Sequence, residues 1–429
     1  MFAKRLMNGI LERRVMLLFA LSALILSVVC GSAFAAEEKV IKIGALFPLT
    51  GPAAVSGQNC LAAVQTAADI INGKHDFKDF PLAEKEGLLD GYKIEIVPGD
   101  HQGKPDVAKS EAERLFNQEN VFAIIGSYNS SASKPASAVA ERLKKIFMCG
   151  ASSSAELTER GFNYFFRTAA TDAIESKEFV DYIDYLNKNK GAGIKTLGLL
   201  YENSEFGKHA AIEGKKAAAT IGIEVVADVP FTVGATNMNS EIQKLKSTNP
   251  DVVFGAALGS DYSLMARTMK QSNWAPKIFI NYCTGYQNPS INKELGSDGN
   301  FFMGGMGYSP EIAEVYMKAA LPAQEIYRSK TGFPLDSDSI QESVCLHVLA
   351  QAIEKAGAAD TEKVVNILRS ETFPSPLSLS GQVAFSPGGQ NNKAFTVITQ
   401  IVDQKYLTVF PKDYADSELT YPFPAWDKR

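Results

Sequence analysis

Two hydroxyl-rich segments have the residue types needed to bind a small anion. Residues 127–133 read Ser-Tyr-Asn-Ser-Ser-Ala-Ser, and residues 151–158 read Ala-Ser-Ser-Ser-Ala-Glu-Leu-Thr. Each segment follows a short apolar run that ends in glycine. At the carboxyl ends of parallel strands, free backbone N–H groups and hydroxyls form a cradle for anions. We therefore expect these two segments to hold the carboxylate of a small molecule.

Helix capping alone is a second explanation for these serines. Ser130 or Ser131 falls where the N-cap belongs for a helix predicted over residues 132–143. Serine is common at such positions whether or not a ligand binds. Two serine-rich loops in succession favour ligand binding only modestly, so both interpretations stay open at this point.

The elements that must position these loops alternate along the chain. Between residues 40 and 282, short apolar runs typical of buried strands alternate with amphipathic segments typical of helices. The first strand is predicted over residues 40–47, and the strands before the two serine loops over 121–126 and 145–150. Residues 74–90 are polar without a period, which predicts a surface insertion. The alternation predicts an α/β protein with two consecutive doubly wound parallel sheets.

The last third of the chain departs from this alternation. Long helices are predicted over residues 310–328 and 339–356, a shorter one over 361–368, and strand-like chain over 393–410. Long helices with little strand between them would be unusual as a third domain. We interpret them as a return of the chain to the first lobe, followed by a second passage to the other lobe.

Composition and motifs argue against several other functions. The 429-residue chain is long enough for two domains and carries a formal charge of −5 without a basic cluster. Nucleic acid and anionic membrane are therefore poor partners. The four histidines lack metal-ligand spacing, and His209 is predicted to be a surface residue. Since the sequence contains neither a nucleophile elbow nor a phosphate loop, we expect no enzyme, no catalytic residue, no metal and no cofactor.

The N-terminus has the parts of a secretory signal peptide. Four basic residues lie before or at the start of the apolar run over residues 15–29, and Ala-Phe-Ala at 33–35 supplies the small-x-small cleavage pattern. We predict a signal peptide over residues 1–35 and a soluble periplasmic protein, whose formal charge becomes −8 after cleavage. An uncleaved anchor needs a longer apolar run. A lipid anchor on Cys30 is disfavoured by the bulky valine before it.

Four cysteines remain in the mature chain, at positions 60, 149, 283 and 345. Export permits disulfides, but the wide spacing matches neither a metal site nor a small disulfide-rich fold. The sequence does not fix a pairing, and buried free thiols are at least as well supported as a bridge.

Several segments together resemble the branched-chain amino acid-binding proteins, which are the periplasmic receptors of ABC importers and have the type I periplasmic-binding fold. The resemblance covers nearly the whole mature chain, although no single motif is diagnostic. The segments occur in the order and spacing of that family: residues 41–52 (Ile-Lys-Ile-Gly-Ala-Leu-Phe-Pro-Leu-Thr-Gly-Pro), 124–127 (Ile-Ile-Gly-Ser), 135–137 (Pro-Ala-Ser), 155–158 (Ala-Glu-Leu-Thr) and 166–168 (Phe-Arg-Thr).

The resemblance implies two doubly wound parallel-sheet lobes joined by a three-crossover hinge. Ala169, Gly307 and Ser386 mark the candidate crossovers. The implied division assigns residues 36–169 and 308–386 to lobe I and residues 170–307 and 387–429 to lobe II.

The resemblance also implies a binding site between the lobes. By position, Ser130 and Ser153 would hold the carboxylate of the ligand, and the carbonyl of Ala151 would accept from an ammonium. Ser56 stands where the family has an aromatic residue, and Phe206 stands where a tyrosine is usual. The first three positions agree with the interpretation drawn from the serine loops alone.

One departure concerns the amino group of the ligand. After Tyr282, where an acidic side chain is usual in the family, this chain has Cys283 and Thr284. Because a buried ammonium without a counter-charge costs several kcal/mol, either Asp172 or Asp261 substitutes, or the ligand has no amino group. For Asp172 a helix N-cap is the other interpretation.

Three aromatic residues have two interpretations. Tyr128, Phe206 and Tyr282 follow or lie near strand ends, where they would line an aromatic pocket or belong to the core.

The function implied by the resemblance is capture of a branched-chain or other hydrophobic amino acid and its delivery to an ABC permease in the membrane. Closure of the lobes over the ligand would produce the form that the permease recognises. Two alternatives use the same fold: a receptor for an amine-free carboxylate such as an aromatic acid, and a periplasmic sensor. A monomer is expected.

Overall fold

The computed structural model describes residues 39–282 and 285–429. The predicted signal peptide and the Cys283-Thr284 pair lie outside the described residues. Within the described part, none of the helices combines the length and the apolar composition needed to cross a bilayer.

The first half of the chain builds a five-stranded sheet. Its elements are β1 (Val40–Phe47), α1 (Ala54–Asn72), β2 (Lys93–Asp100), α2 (Pro105–Asn117), β3 (Ala123–Gly126), α3 (Ser130–Leu143), β4 (Ile146–Cys149), a 3-10 helix (Ala155–Thr158) and β5 (Phe165–Arg167). The strand order is β2-β1-β3-β4-β5, and the pairs β1–β3, β3–β4 and β4–β5 are parallel.

The next part of the chain repeats this arrangement. Its elements are α4 (Asp172–Lys190), β6 (Thr196–Glu202), α5 (Glu205–Thr220), β7 (Glu224–Phe231), α6 (Asn239–Thr248), β8 (Val252–Ala256), α7 (Gly259–Gln271), β9 (Ile278–Asn281), α8 (Pro289–Leu295) and β10 (Met303–Met306), with 3-10 helices at Gly285–Gln287 and Gly296–Gly299. The order β7-β6-β8-β9-β10 has the same topology as the first sheet.

The remaining chain contributes to both sheets. Its elements are α9 (Pro310–Tyr316), a 3-10 helix (Lys318–Ala320), α10 (Leu321–Thr331), α11 (Ser337–Ala356), α12 (Thr361–Ser370), β11 (Thr372–Pro374), β12 (Gln382–Ala384), β13 (Val397–Val402), β14 (Lys405–Phe410) and a 3-10 helix (Trp426–Lys428). Helix α11 packs on α1, β3 and β4, whereas β13 pairs antiparallel with β10. The chain thus leaves the first sheet after β5, returns to it after β10 and leaves it again after β12.

This connectivity confirms the predicted α/β fold with two lobes. The second sheet is mixed, however, because β13 and β14 add an antiparallel edge to its parallel strands. The residue numbers given above for the two lobes and for the signal peptide stay a prediction.

Each sheet is covered by helices on both faces, which explains why its strands are apolar on both sides. In β1, Ile43 and Phe47 pack with the buried residues of α1 and α11, and Leu46 packs with those of α2 and α3. In the second sheet, Phe254 packs with α4 and α5, and Val253 packs with α6 and α7.

The helix predicted over residues 310–328 is wrong as a single element. It is divided into α9 and α10 by a 3-10 turn. Pro322 lies in the first turn of α10, where its missing backbone N–H is tolerated, but a continuous helix would need that N–H as a donor.

The segment predicted as a surface insertion is only partly exposed to solvent. Residues 74–90 contain no helix and no named strand, as expected, yet Phe80 and Leu88 are fully or almost fully buried. The ring of His347, on α11, hydrogen-bonds the carbonyl of Pro81 at 2.7 Å. The segment is therefore packed against α11 and covers part of the first core.

The described cysteines are unpaired. Cys60, Cys149 and Cys345 are buried free thiols, and burial is the first cause that raises the pKa of each one. The fourth cysteine, at 283, lies outside the described residues.

Candidate functional site

The two serine loops lie side by side at one edge of the first sheet. Strands β3 and β4 pair in parallel with Ile125 opposite Met148, so the loops after them emerge next to each other. The Ser152 hydroxyl donates to the Tyr128 carbonyl at 3.1 Å and lies 2.8 Å from the hydroxyl of Ser133. Hydrogen bonds between the loops therefore join the two segments into one surface.

Glycine is required where β3 ends. The backbone of Gly126 has a φ of +150°, and a Cβ on it would lie 2.2 Å from the carbonyl oxygen of Leu46 on β1. The strand order reverses between β1 and β3, which is where ligands bind in open α/β sheets.

Ser130 is the first residue of α3, so the prediction that Ser130 or Ser131 caps this helix is wrong. The N-cap position is Asn129, whose side chain makes no capping bond. The Ser130 hydroxyl, which is buried, instead accepts from the Ser154 N–H at 3.3 Å. The first N–H groups of α3 therefore have no side-chain cap and suit an anion.

Ala151 and Ser153 line a cavity between the two sheets and the segments that connect them. The start of α11 contributes Asp338, and α4 contributes Glu175. All three connections between the sheets also line it, through residues 168–170, Gly307 and residues 391 and 393–396. The cavity volume is about 30 Å³, enough for water, so a larger ligand requires the walls to move apart.

Glu342, on α11, fixes the loop that carries Ala151. Its buried carboxyl accepts from the N–H groups of Gly150 at 3.1 Å and Ala151 at 3.0 Å. Burial raises the pKa of Glu342 to about 8, although these two hydrogen bonds act in the opposite direction. The helix and the loop are in close contact, because a Cβ on Gly150 would lie 2.6 Å from the backbone of Gln341 and Glu342.

A buried arginine holds the same loop from the other side. The guanidinium of Arg167 donates to the carbonyls of Ser152 at 3.0 Å and Ser154 at 2.6 Å, and to the side-chain oxygen of Gln390 at 2.7 Å. Burial lowers the pKa of Arg167. The loop after β4 is thereby tied to the third connection between the sheets.

The structure brings Asp338 to the cavity, and sequence reasoning missed this residue. It lies in the first turn of α11 and is partly buried. Burial, followed by the charges of Asp336, Glu175 and Glu342, raises the pKa of Asp338 well above its ordinary value. The only sequence signal was an acidic residue at the start of a strongly apolar helix.

The three aromatic residues predicted near the site are not brought together. Tyr128 belongs to the core of the first sheet, whereas Phe206 and Tyr282 belong to a cluster under the second sheet. The Tyr282 hydroxyl donates to the Ala210 carbonyl at 2.9 Å and lies 2.7 Å from the Ser176 hydroxyl. A ligand-binding role for these rings stays a prediction.

Ser56 lies apart from the cavity described above. It is buried in the first turn of α1 and lines a second cavity, of about 250 Å³, together with Gly259 and Ser263 of α7. Ser56 is close to Tyr128 and lowers the pKa of its hydroxyl. Burial and, next, the charge of Asp338 outweigh this effect and raise the pKa of Tyr128 well above its usual range. A role for Ser56 in ligand binding stays a prediction.

Asp172 and Asp261 each accept from a backbone N–H. Asp172 is buried and accepts from Ala155 at 3.1 Å, and burial raises its pKa to about 7. The N-cap of α4 is Thr171, whose side chain accepts from Ile174, so the N-cap interpretation of Asp172 is wrong. Asp261 accepts from Gly234 at 2.8 Å. A role for either in ligand binding stays a prediction.

His209 is partly buried beside two acidic side chains, whereas the sequence predicted a surface residue. Its Nε2 lies 3.0 Å from Glu156 and 3.5 Å from Glu205, and the three side chains lie close enough to ligate a metal. The ammonium of Lys134 is already 2.8 Å from Glu156 and 3.0 Å from Glu205. Since Lys134 and Glu156 lie on the first lobe and the other two on α5, we call these four residues the interlobe ion network.

Comparisons of the sequence and of the fold with known proteins both find binding proteins of one kind. Residues 40–405 match the family model described as periplasmic binding protein. The leucine-, isoleucine-, valine-, threonine-, and alanine-binding protein of Pseudomonas aeruginosa is 27% identical over 369 residues, which cover 85% of this chain and 91% of that protein.

Solved structures of low sequence identity share the fold. One is a branched-chain amino acid transporter substrate-binding protein from Streptococcus pneumoniae in complex with isoleucine, with a TM-score of 0.72, 20% identity, and coverage of 90% of this chain and 100% of that one. Another is an ABC transporter solute-binding protein from Rhodopseudomonas palustris in complex with 3,4-dihydroxybenzoic acid, with a TM-score of 0.73, 19% identity, and coverage of 91% and 100%.

Proposed function

Since the chain belongs to the periplasmic binding protein family, we propose that it is the exported receptor of an ABC importer and that it captures an amino acid with a branched or other hydrophobic side chain. One observation carries the proposal. The loops after β3 and β4 are bonded to each other, and Ala151 and Ser153 of the second loop face a cavity between the lobes. Charge-assisted hydrogen bonds to a carboxylate contribute about 1.5–3 kcal/mol each.

The proposed mechanism is closure of the two lobes over the ligand. A ligand shifts a conformational equilibrium only by its difference in affinity for the two states. Because the cavity has walls from both lobes and from their connections, a ligand that fills it gains contacts only when the lobes close. The closed, monomeric form would then deliver the ligand to a permease in the membrane.

An amine-free carboxylate is the second candidate ligand. Positions 283 and 284, after β9, carry no acidic side chain. The solute-binding protein from Rhodopseudomonas palustris, of the same fold, was solved with 3,4-dihydroxybenzoic acid. An aromatic acid would need the serine loops but no counter-charge for an ammonium.

A ligand panel tests the proposal. Leucine, isoleucine, valine and phenylalanine are compared with 2-oxoisocaproate, phenylacetate and benzoate by thermal shift, and each stabilising compound is then measured by calorimetric titration. At about 100 times the dissociation constant, a ligand adds roughly 2.7 kcal/mol to the free energy of unfolding. We expect the amino acids to raise the melting temperature. A panel in which no compound binds would refute the receptor function.

A double variant tests the site. Ser130→Ala with Ser153→Ala removes both predicted hydroxyl donors and should abolish tight binding while the free protein still folds. Its melting temperature should fall by a few degrees, because the Ser154 N–H loses its acceptor on Ser130. The matched control is Ser110→Ala with Ser370→Ala, because both serines are exposed on helices away from the cavity. Unchanged affinity of the double variant would show that the serine loops are not the site.

A further inference from the structure

We propose that Asp338 accepts the ammonium group of the ligand, so that the cavity selects molecules with a protonated amine; this inference rests on the proposed receptor function. Asp338 would take the place of the acidic residue that is lacking after Tyr282. It lies on a different lobe from that position, in the first turn of α11.

Asp338 differs from its acidic neighbours in having no donor. Asp336 accepts from the Ser339 N–H at 2.7 Å and from the Asn59 amide at 3.1 Å, and Glu342 accepts from two backbone N–H groups. Within residues 39–282 and 285–429, no hydrogen bond or ion pair engages the Asp338 carboxylate. A carboxylate that is partly buried without a donor gains free energy when a cation enters.

The charges around the cavity favour a cation. Burial and the charges of Asp336, Glu175 and Glu342 all raise the pKa of Asp338, and no positive charge among the described residues opposes them. Among the residues that line the cavity, Lys393 is the basic one, and it is exposed. A ligand ammonium beside Asp338 would add the missing positive charge and lower the pKa of the carboxyl.

A second, independent feature of the cavity points to a ligand. Ser153 is 4% exposed and lines the cavity, yet within the described part of the chain its hydroxyl makes no hydrogen bond. The hydroxyl is accessible from the cavity and is not fully enclosed by protein. A free hydroxyl donor and a free carboxylate acceptor in one cavity match the two charged groups of an amino acid.

The placement of Asp338 has a consequence for the order of binding. Ser153 and Asp338 both belong to elements packed on the first sheet. The carboxylate and the amine of the ligand would therefore both be held by the first lobe before closure. The second lobe would contact the ligand afterwards, on closure, through α4 and the segment before β13.

The test compares two variants at equivalent helix positions. Asp338→Asn removes the charge and keeps the side-chain shape; Asp106→Asn is the control, because Asp106 is also the second residue of its helix and is exposed. Calorimetric titration is performed with the amino acid that binds best in the panel and with the 2-oxo acid of the same side chain. We expect Asp338→Asn to weaken amino-acid binding at least tenfold and to leave or improve binding of the 2-oxo acid, with no change in the control.

A ligand-side experiment gives a result even if Asp338→Asn does not fold. The wild-type protein is titrated with the same amino acid and with its 2-hydroxy acid, in which a hydroxyl of similar size replaces the ammonium and carries no positive charge. We expect the 2-hydroxy acid to bind at least tenfold more weakly. Equal affinity would overturn the inference.

The outcomes separate the two proposals. If the wild type binds neither amino acids nor carboxylates, the receptor function itself fails. If it binds amino acids and Asp338→Asn binds them equally well, only the role of Asp338 fails. If it binds amine-free acids alone, the receptor function stands and the selection of an amine is refuted.

Discussion

The buried carboxyl of Glu342 makes stability depend on pH in a direction that the structure fixes. Burial raises its pKa from the ordinary value of 4.5 to about 8. Consider a carboxyl whose pKa is higher in the folded state than in the unfolded state. Its contribution to the free energy of unfolding is fully present below the unfolded pKa and is lost as the pH rises through the folded pKa. Glu342→Gln removes the ionisation and keeps one carbonyl oxygen for the N–H groups of the loop.

The size of the effect follows from linkage. With those two pKa values, ionisation of Glu342 reduces the free energy of unfolding by roughly 3 kcal/mol between pH 5 and pH 8. Asp172, Glu178 and Glu202 also have pKa values raised to about 7 by burial, but they are present in both proteins. The difference between wild type and variant therefore reports Glu342 together with its contribution to the pKa of Asp338.

Urea unfolding at pH 5, 6, 7 and 8 measures this difference. The Gly150 and Ala151 N–H groups use different oxygens of Glu342, and the amide nitrogen of Gln cannot accept. We therefore expect Glu342→Gln to be less stable than the wild type at pH 5 by about 1–3 kcal/mol. Between pH 5 and pH 8 the variant should gain roughly 3 kcal/mol relative to the wild type. Glu95→Gln, at an exposed position on β2, is the control and should follow the wild type. Parallel curves for wild type and Glu342→Gln would refute the raised pKa.

Two further predictions concern the closed state and the loop after β4. Lys134→Ala removes two partly exposed ion pairs of the interlobe ion network, each worth about 0.2–1 kcal/mol. Ligand affinity should therefore fall by roughly 2- to 30-fold and lose part of its salt dependence in titrations at low and high salt. An unchanged salt dependence would contradict a role in closure. Gly150→Ala places a Cβ 2.6 Å from the backbone of α11 and should destabilise by about 1–3 kcal/mol in urea unfolding, whereas Gly299→Ala meets its nearest atom at 3.5 Å and serves as the control. Equal stability of the two variants would contradict the tight contact.

The sequence was most informative where apolar runs are strong and local. β1 was predicted with its observed bounds, and the two serine loops were expected at neighbouring strand ends, which they occupy. β10 escaped prediction because Met303–Met306 contains two glycines and no β-branched residue. Its strand conformation results from pairing with β9 and β13, which are distant in sequence.

The site was predictable only on the side formed by local motifs. Ala151 and Ser153 could be proposed from the sequence because they follow a strand, and their role in binding stays a prediction. Asp338 and Glu342 lie about 190 residues further along the chain. Only the packing of α11 on β4 brings Glu342 to the loop after β4 and Asp338 to the cavity. The contact of His209 with Glu156 was missed for the same reason, since Glu156 belongs to the other lobe. Its other partner, Glu205, lies four residues earlier on the same helix. Contacts that depend on tertiary packing leave no periodic trace in the sequence.

All three connections between the lobes line the cavity, and in the proposed mechanism this position has a consequence for antagonists. A molecule that bonded to Ser153 and Asp338 as proposed but carried a larger substituent would press against the connecting segments. It would occupy the receptor while preventing the lobes from closing. An inhibitor of uptake and a nutrient would then share a carboxylate and an ammonium group and would differ only in the size of the side chain.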